Sequence, residues 1–262
     1  MLSRRMGNEF YRQDDQRGAR VNALFARIAR RYDFINDLQS FGLHRFWKRR
    51  VVELAQIKPG TQVLDVCCGT GDIAIQAAAA GGIVVGLDFT PAMLDVARHR
   101  PASFERRAGK ISFIEGDALK LPFEDQSFAV VTVGYGLRNL SNWKVGLHEM
   151  LRVAQPGGRL LVLEFGKPDC PPWRWIYFTY LKAVVPLLGW AFAGSAAAYA
   201  YILESLKHYP GQRGVEREMR ELGMHNVRVV NFLGGVMSIN YGEKPAVAAA
   251  SHSLKTHLGK RS

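Results

Sequence analysis

The chain has 262 residues, 48% of them hydrophobic, which suits one generous core with an embellishment rather than two independent domains. Its 35 Lys and Arg against 23 Asp and Glu give a net charge of +12, compatible with nucleic acid, an anionic membrane surface or an acidic small molecule. Three cysteines, an adjacent pair at Cys67 and Cys68 and a distant Cys170, exclude a disulfide framework and a zinc site of paired CxxC spacings, and predict a reducing, cytoplasmic compartment.

The N-terminal stretch is basic but has no apolar run, so no secretory signal is expected. In RVNALFARIARRYDFIN, Leu24, Phe25, Ile28 and Tyr32 recur at helical spacing, with Arg20, Arg27, Arg30 and Arg31 among the other positions. Two readings stand: a lid over 1–50 whose arginines meet lipid headgroups, or an ordinary amphipathic helix on the core.

From Gln62 onward, strands alternate with helices. QVLDVC precedes a helix near Asp72–Ala80; IVVGLD precedes one over Pro91–Arg100; ISFIEGD, FAVVTVGY, a helix near Trp143–Val153 and RLLVLEF follow. Runs of Val, Ile and Leu without strict alternation suit strands buried on both faces, so residues 51–243 are expected to form a doubly wound, mostly parallel α/β sheet. A helix near Val215–Leu222 then leads to VRVVNF and VMSINYG, close enough for a hairpin that places one antiparallel strand in the sheet. The Ala-, Ser- and Lys-rich tail over 244–262 reads as solvated disorder.

Strand one ends in VLDVCCGTGD, at the crevice where this architecture binds ligands. Gly69, Gly71 and Ala74 satisfy a loose dinucleotide fingerprint, but acids end the first strands in register: Asp65 in the strand before the loop, Asp88 closing the second, Asp117 closing the third. A sulfonium ligand with an amino-acid moiety, a ribose diol and an adenine amine uses several acceptors and has no pyrophosphate to be repelled, so the pattern suits S-adenosylmethionine. Asp88 is expected on the ribose hydroxyls and Asp117, with the Ala118 backbone, on the adenine edge; Asp65, Gly69, Thr70, Gly71 and Gly134 complete the cofactor set. The plainer alternative makes the acids strand-end caps and turn formers. Cys67 and Cys68 are read as small packing residues, and no histidine spacing suggests a metal.

Three further stretches, YDFINDLQSFGLHRFWK at Tyr32–Lys48, GLRN at Gly136–Asn139 and RVAQPGGRLLVLEFGKP at Arg152–Pro168, make the chain resemble the ubiquinone and menaquinone biosynthesis C-methyltransferases from about Phe25 to Gly242. The main departure is Gly134, where the family usually has a serine. The resemblance implies a class I methyltransferase fold and methylation at a ring carbon of a prenylated quinol, demethylmenaquinol first and the ubiquinone-precursor benzoquinol as the alternative. Carbon methylation requires that a quinol hydroxyl lose or share its proton and that the ring carbon's hydrogen then leave. Arg138 is expected to hold the developing phenolate or orient a water, and Asn139 to fix the ring, with Tyr32 and His44 as alternative proton carriers.

The segment AVVPLLGWAFAGSAAAYAYIL, 183–203, is long enough to span a bilayer, but a span here would need a second to return the chain to the same sheet. Pro186, Gly189 and Gly194 are expected to divide it into short helices, making 167–208 an inserted cap whose aromatics line a channel for a polyprenyl tail and touch the membrane interface. Plain core packing or a homodimer contact is the alternative use. The expected partners are thus a prenylated quinol and a membrane surface, at the inner face of the plasma membrane, and not nucleic acid. A nucleic-acid methyltransferase is disfavoured because GYGLRN lacks the (D/N)PP(Y/F/W) run of amino-directed base methylases; a non-catalytic binding protein remains a rival on fold grounds.

Overall fold

The computed structural model describes the backbone of residues 17–100, 110–193 and 196–246, and the side chains of these except 35 and 187–200. Among them, β1 (Gln62–Val66), β2 (Ile83–Asp88), β3 (Lys110–Glu115), β4 (Phe128–Gly134), β5 (Ala154–Phe165), β6 (His225–Phe232) and β7 (Met237–Glu243) form one sheet in the order β3-β2-β1-β4-β5-β7-β6. β1 to β5 pair in parallel, and β7 runs antiparallel between β5 and β6. The expected hairpin is present, closed by a short turn over Leu233–Gly235. Successive residues of the inner strands enter opposite cores: Val63, Val130 and Leu161 pack on one face, Leu64, Val131 and Leu160 on the other. Burial on both faces is why these strands are continuously apolar.

The helices are α1 (Arg17–Ile28), α2 (Tyr32–Ser40), α3 (Leu43–Ala55), α4 (Asp72–Ala79), α5 (Pro91–Arg98), α6 (Trp143–Val153), α7 (Pro171–Ala193), α8 (Ala196–His208) and α9 (Gly211–Glu221). α6 begins where the Asn142 side chain accepts from the amides of Lys144 and Val145. It ends where the Lys244 ammonium donates to the carbonyls of Leu151 and Ala154, each at 2.8 Å. Lys244 therefore belongs to the fold rather than to a disordered tail; residues 247–262 lie outside the described residues, as do 1–16 of the expected lid.

Two other expectations are corrected. The N-terminal apolar stripe is not one helix: the chain tightens into a 3-10 turn over Ala29–Arg31, which separates α1 from α2. Of the dividers expected in the oily insertion, Pro186 and Gly189 do not break it, because α7 continues through both for 23 residues; α7 ends at Ala193 and α8 begins at Ala196. A mid-helix proline costs about 3 kcal/mol, and here it is offset by burial of the neighbouring Leu181 and Val185 against the core. No helix among the described residues is long and apolar enough to cross a membrane.

Candidate active site

A cavity of about 610 Å³ opens at the carboxyl ends of β1, β2 and β4 beneath α1. Of the cofactor residues expected from sequence, Gly69, Asp88, Asp117, Ala118 and Gly134 line it. The Asp88 carboxylate ties the two neighbouring loops together, accepting from the amides of Gly69 and Thr90 at 2.8 Å each. Burial pushes its pKa up, against the pull of these backbone donors. Asp117 accepts from the Leu119 amide at 2.8 Å, leaving its second oxygen for a ligand. Gly134 is close-packed: a Cβ there would lie 2.6 Å from Ile73 Cδ1, so a side chain at this position requires Ile73 to turn aside. These features fit S-adenosylmethionine, with room for a nucleoside and acceptors spaced along the strand ends.

Asp65, Thr70 and Gly71 do not line the cavity; they hold its rim from behind. The Asp65 carboxylate, buried inside β1, accepts from the Ala74 amide at 3.1 Å and from the Thr132 hydroxyl at 2.7 Å, pinning α4 and β4 to β1. Gly71 adopts φ +84, and a Cβ there would lie 2.9 Å from the Phe113 ring. Thr70 donates to Asp33 at 2.8 Å, and Asp33 leads through Arg100 to Asp72 and Lys48. Burial alone would raise the Asp72 carboxyl, but Lys48 and Arg100 hold it at about 2. This chain of charges fastens α2 and α3 to the glycine turn, so the N-terminal helices and the loop form one rigid rim.

Burial raises the Asp65 pKa from 3.8 to about 7, with Thr132 and Ala74 opposing. The native state therefore binds more protons than the unfolded chain between these values. The stability contributed by this carboxyl is present below pH about 4, falls as pH rises to about 7 and is level above, a loss on the order of 4 kcal/mol. Asp65→Asn, whose carbonyl accepts from Ala74 and whose amide donates to Thr132, is expected to flatten that part of the stability curve in urea titrations; an unchanged slope rejects the assignment.

The expected catalytic residues divide. Tyr32 and Asn139 line the cavity. Burial pushes the Tyr32 phenol up to about 12, so it stays a neutral donor and not a base at neutral pH. Asn139 is fixed at both ends, donating to the Tyr135 carbonyl at 3.0 Å and accepting from the Tyr201 hydroxyl at 3.0 Å. His44 lies elsewhere. It lines a second, apolar groove of about 320 Å³ between α2, α3, α7 and the β6–β7 turn, within 3.0 Å of the Ser40 hydroxyl. Burial, then the Lys48 charge, lowers its pKa, so it is neutral where it sits.

Arg138 lines neither cavity. It is 7% exposed and pairs with Glu164 of β5 at 2.6 Å, donates to the Tyr135 carbonyl at 2.8 Å, and stacks on the Phe165 ring at 4.8 Å. Burial pushes the Glu164 carboxyl up, with Arg138 pulling it back.

Tyr135 is the one described residue that lines both the cavity and the groove. Sequence reasoning missed it, together with Asn22 and Phe89, which face the cavity from α1 and the end of β2; Phe25, on the expected apolar stripe, faces it too. Phe89 had a usable signal, since it directly follows the strand-closing acid; Tyr135 had none, because its placement depends on a left-handed φ of +60.

The model describing the ubiE/COQ5 methyltransferase family matches residues 12–244. A demethylmenaquinone methyltransferase of Staphylococcus aureus is 40% identical over 227 residues, spanning 86% of this chain and 92% of that protein. Among solved structures, a SAM-dependent methyltransferase from Aquifex aeolicus superposes with a TM-score of 0.53 at 18% identity, over 75% of this chain and 88% of that one. One from Thermotoga maritima gives 0.60 at 16% identity, over 86% and 99%. At these identities the structural likeness establishes the fold.

Proposed function

The chain belongs to the ubiE/COQ5 methyltransferase family and is an S-adenosylmethionine-dependent methyltransferase; from that premise we propose that it methylates a ring carbon of demethylmenaquinol. The observation that carries this reading is the pairing of a polar cavity at the strand ends with an apolar groove, joined only at Tyr135 among the described residues. A prenylated quinol is an oxygen-bearing ring on an apolar tail, and the two spaces match its two ends.

Bound cofactor supplies an electrophilic methyl group on a positively charged sulfur. Asp88 holds the ribose hydroxyls and Asp117 the adenine edge. α1 roofs the cavity, excluding bulk water from the transfer. The Tyr32 phenol and the Asn139 amide, both at the cavity wall, orient the ring. The Arg138 guanidinium, behind Tyr135 and paired with Glu164, offers its unpaired Nε–H to the phenolate that makes the ring carbon nucleophilic. Tyr32, His44 and Arg138 are all unsuited to take the proton, the first by its high pKa, the second by position, the third by its permanent charge; it is lost to buffer in bulk solvent by way of water at the cavity mouth.

The test is transfer of labelled methyl to demethylmenaquinol, to the benzoquinol analogue and to bulk RNA. Label in demethylmenaquinol is expected; label in RNA alone overturns the reading, and cofactor binding without transfer to any acceptor supports the non-catalytic rival.

The groove mouth also supports peripheral attachment to the inner face of the plasma membrane. Phe41 is 81% exposed and Trp175 71%, beside exposed Leu43, Trp173, Ile176 and Leu233 at the rim. Exposed Arg49 and Lys182 on the same helices, α3 and α7, offer charge to anionic headgroups. Burying a Phe or Trp contributes about 1.5–3 kcal/mol, so Phe41→Ser with Trp175→Ser is expected to weaken binding to phosphatidylglycerol vesicles by about 100-fold or more. Unchanged co-sedimentation rejects this face, and a doubled mass in solution that the same substitutions abolish assigns it to a homodimer instead.

A further inference from the structure

Two polar side-chain atoms at the junction of cavity and groove, the Tyr135 hydroxyl and Arg138 Nε, are buried without a hydrogen-bond partner among the described residues; beside them the Asn36 amide, which bears on the Tyr32 phenol, has a second N–H to give. Buried polar groups are almost always paired, so two orphans in one place ask for a missing partner. Their clustering is geometric. Tyr135 is the shared wall; Asn36 lines the groove one helical turn after Tyr32, which lines the cavity; Arg138 is bonded to the Tyr135 carbonyl at 2.8 Å. Tyr209, orphaned too, lines neither space.

Tyr135 is held in an unusual state. It is 8% exposed and adopts φ +60, a left-handed conformation rare for a bulky aromatic residue. Donors from both Arg138 and Asn139 converge on its carbonyl and keep it there. The Tyr135 and Phe165 rings lie 5.6 Å apart and form a seam on the groove side of the shared wall.

We propose that this seam is the subsite for the oxygen-bearing ring of the substrate, with the Tyr135 hydroxyl and the Asn36 amide donating to a ring oxygen once the ring parts the seam. The inference rests on the prenylated-quinol reading and deepens it. A ring that takes a methyl group from the cavity while its tail lies in the groove sits where the two meet. Seating it there gives these donors an acceptor, and converts a strained wall into a bound contact. Tyr135 and Asn36 thus select for a ring oxygen, since a site built to donate a hydrogen bond rejects an analogue without the acceptor.

The test uses the full chain with Tyr135→Phe and, separately, Asn36→Leu. Each is assayed with demethylmenaquinol and with prenylated naphthol analogues that each lack one ring oxygen, alongside cofactor affinity and thermal midpoint. Loss of one hydrogen bond corresponds to about tenfold in kcat/KM. For Tyr135→Phe that loss is expected on the quinol and on one analogue but not on the other, with cofactor affinity unchanged and the thermal midpoint equal or higher, because an unpaired hydroxyl has been removed. A merely structural tyrosine would lower all substrates together or none, and either result overturns the inference, as does an unchanged quinol-to-analogue ratio in both variants. Wild-type protein that methylates no quinol overturns the function reading itself, whereas active wild type with an indifferent Tyr135→Phe and Asn36→Leu overturns this subsite alone.

Discussion

Asp88→Asn is expected to weaken S-adenosylmethionine binding by about 10- to 150-fold while the protein remains folded. The carboxylate now accepts from Gly69 and Thr90 at 2.8 Å each and keeps further lone pairs for a ribose diol. An asparagine has one acceptor oxygen, so it must turn its amide toward a backbone N–H on one side or toward the ligand on the other. Burial, which raises the Asp88 pKa, also means that little water competes for its oxygens, so a hydroxyl donated to it is poorly replaced. A hydrogen bond to a charged group contributes about 1.5–3 kcal/mol, the source of the expected range. Isothermal titration of cofactor into the two proteins checks it, and affinities within twofold of one another remove Asp88 from the ribose. Vesicle binding through the groove rim, on the other side of Tyr135, is expected to be unaffected.

The contrast between Asp88 and Asp65 marks how far residue order alone carries an argument. Both acids sit in apolar strands near the glycine turn, and pattern gives them the same role. Asp88 closes its strand and so reaches the crevice; Asp65 lies one position before the end of β1, flanked by Thr132 of β4 on one side and Gly86 of β2 on the other. Its partner Thr132 is 67 residues away, and no local signal announces that distance. The same holds for Arg138, whose place in GLRN suggests a side chain free for substrate, until β5 brings Glu164 against it. The succession of strands and helices, the β6–β7 hairpin and the bounds of α6 were legible because periodicity and capping are local properties. The continuity of α7 through Pro186 was not, since a proline's local cost is outweighed by packing that only the assembled core supplies.

Arg138→Ala is expected to cost about 3–5 kcal/mol of stability, because it strands the Glu164 carboxylate in a site 1% exposed with its main counter-charge gone. The same deletion frees the Tyr135 carbonyl from one of its donors and lets the left-handed turn relax. Loss of activity in that single variant therefore says little about chemistry, since the wall between cavity and groove is lost with the charge. The informative variant replaces both members, Arg138→Met with Glu164→Leu, removing the charge and its partner together. An apolar pair of similar volume is often as stable as the buried ion pair it replaces, so most of the lost stability is expected to return in urea titrations. Methyl transfer in single turnover is expected to stay about 100-fold or more below wild type, the loss typical of removing one donor to a developing oxyanion. If the double variant instead recovers activity along with stability, Arg138 is a scaffold for Tyr135 and the phenolate is stabilised by other donors, with Tyr32 and Asn139 the nearest at the cavity wall.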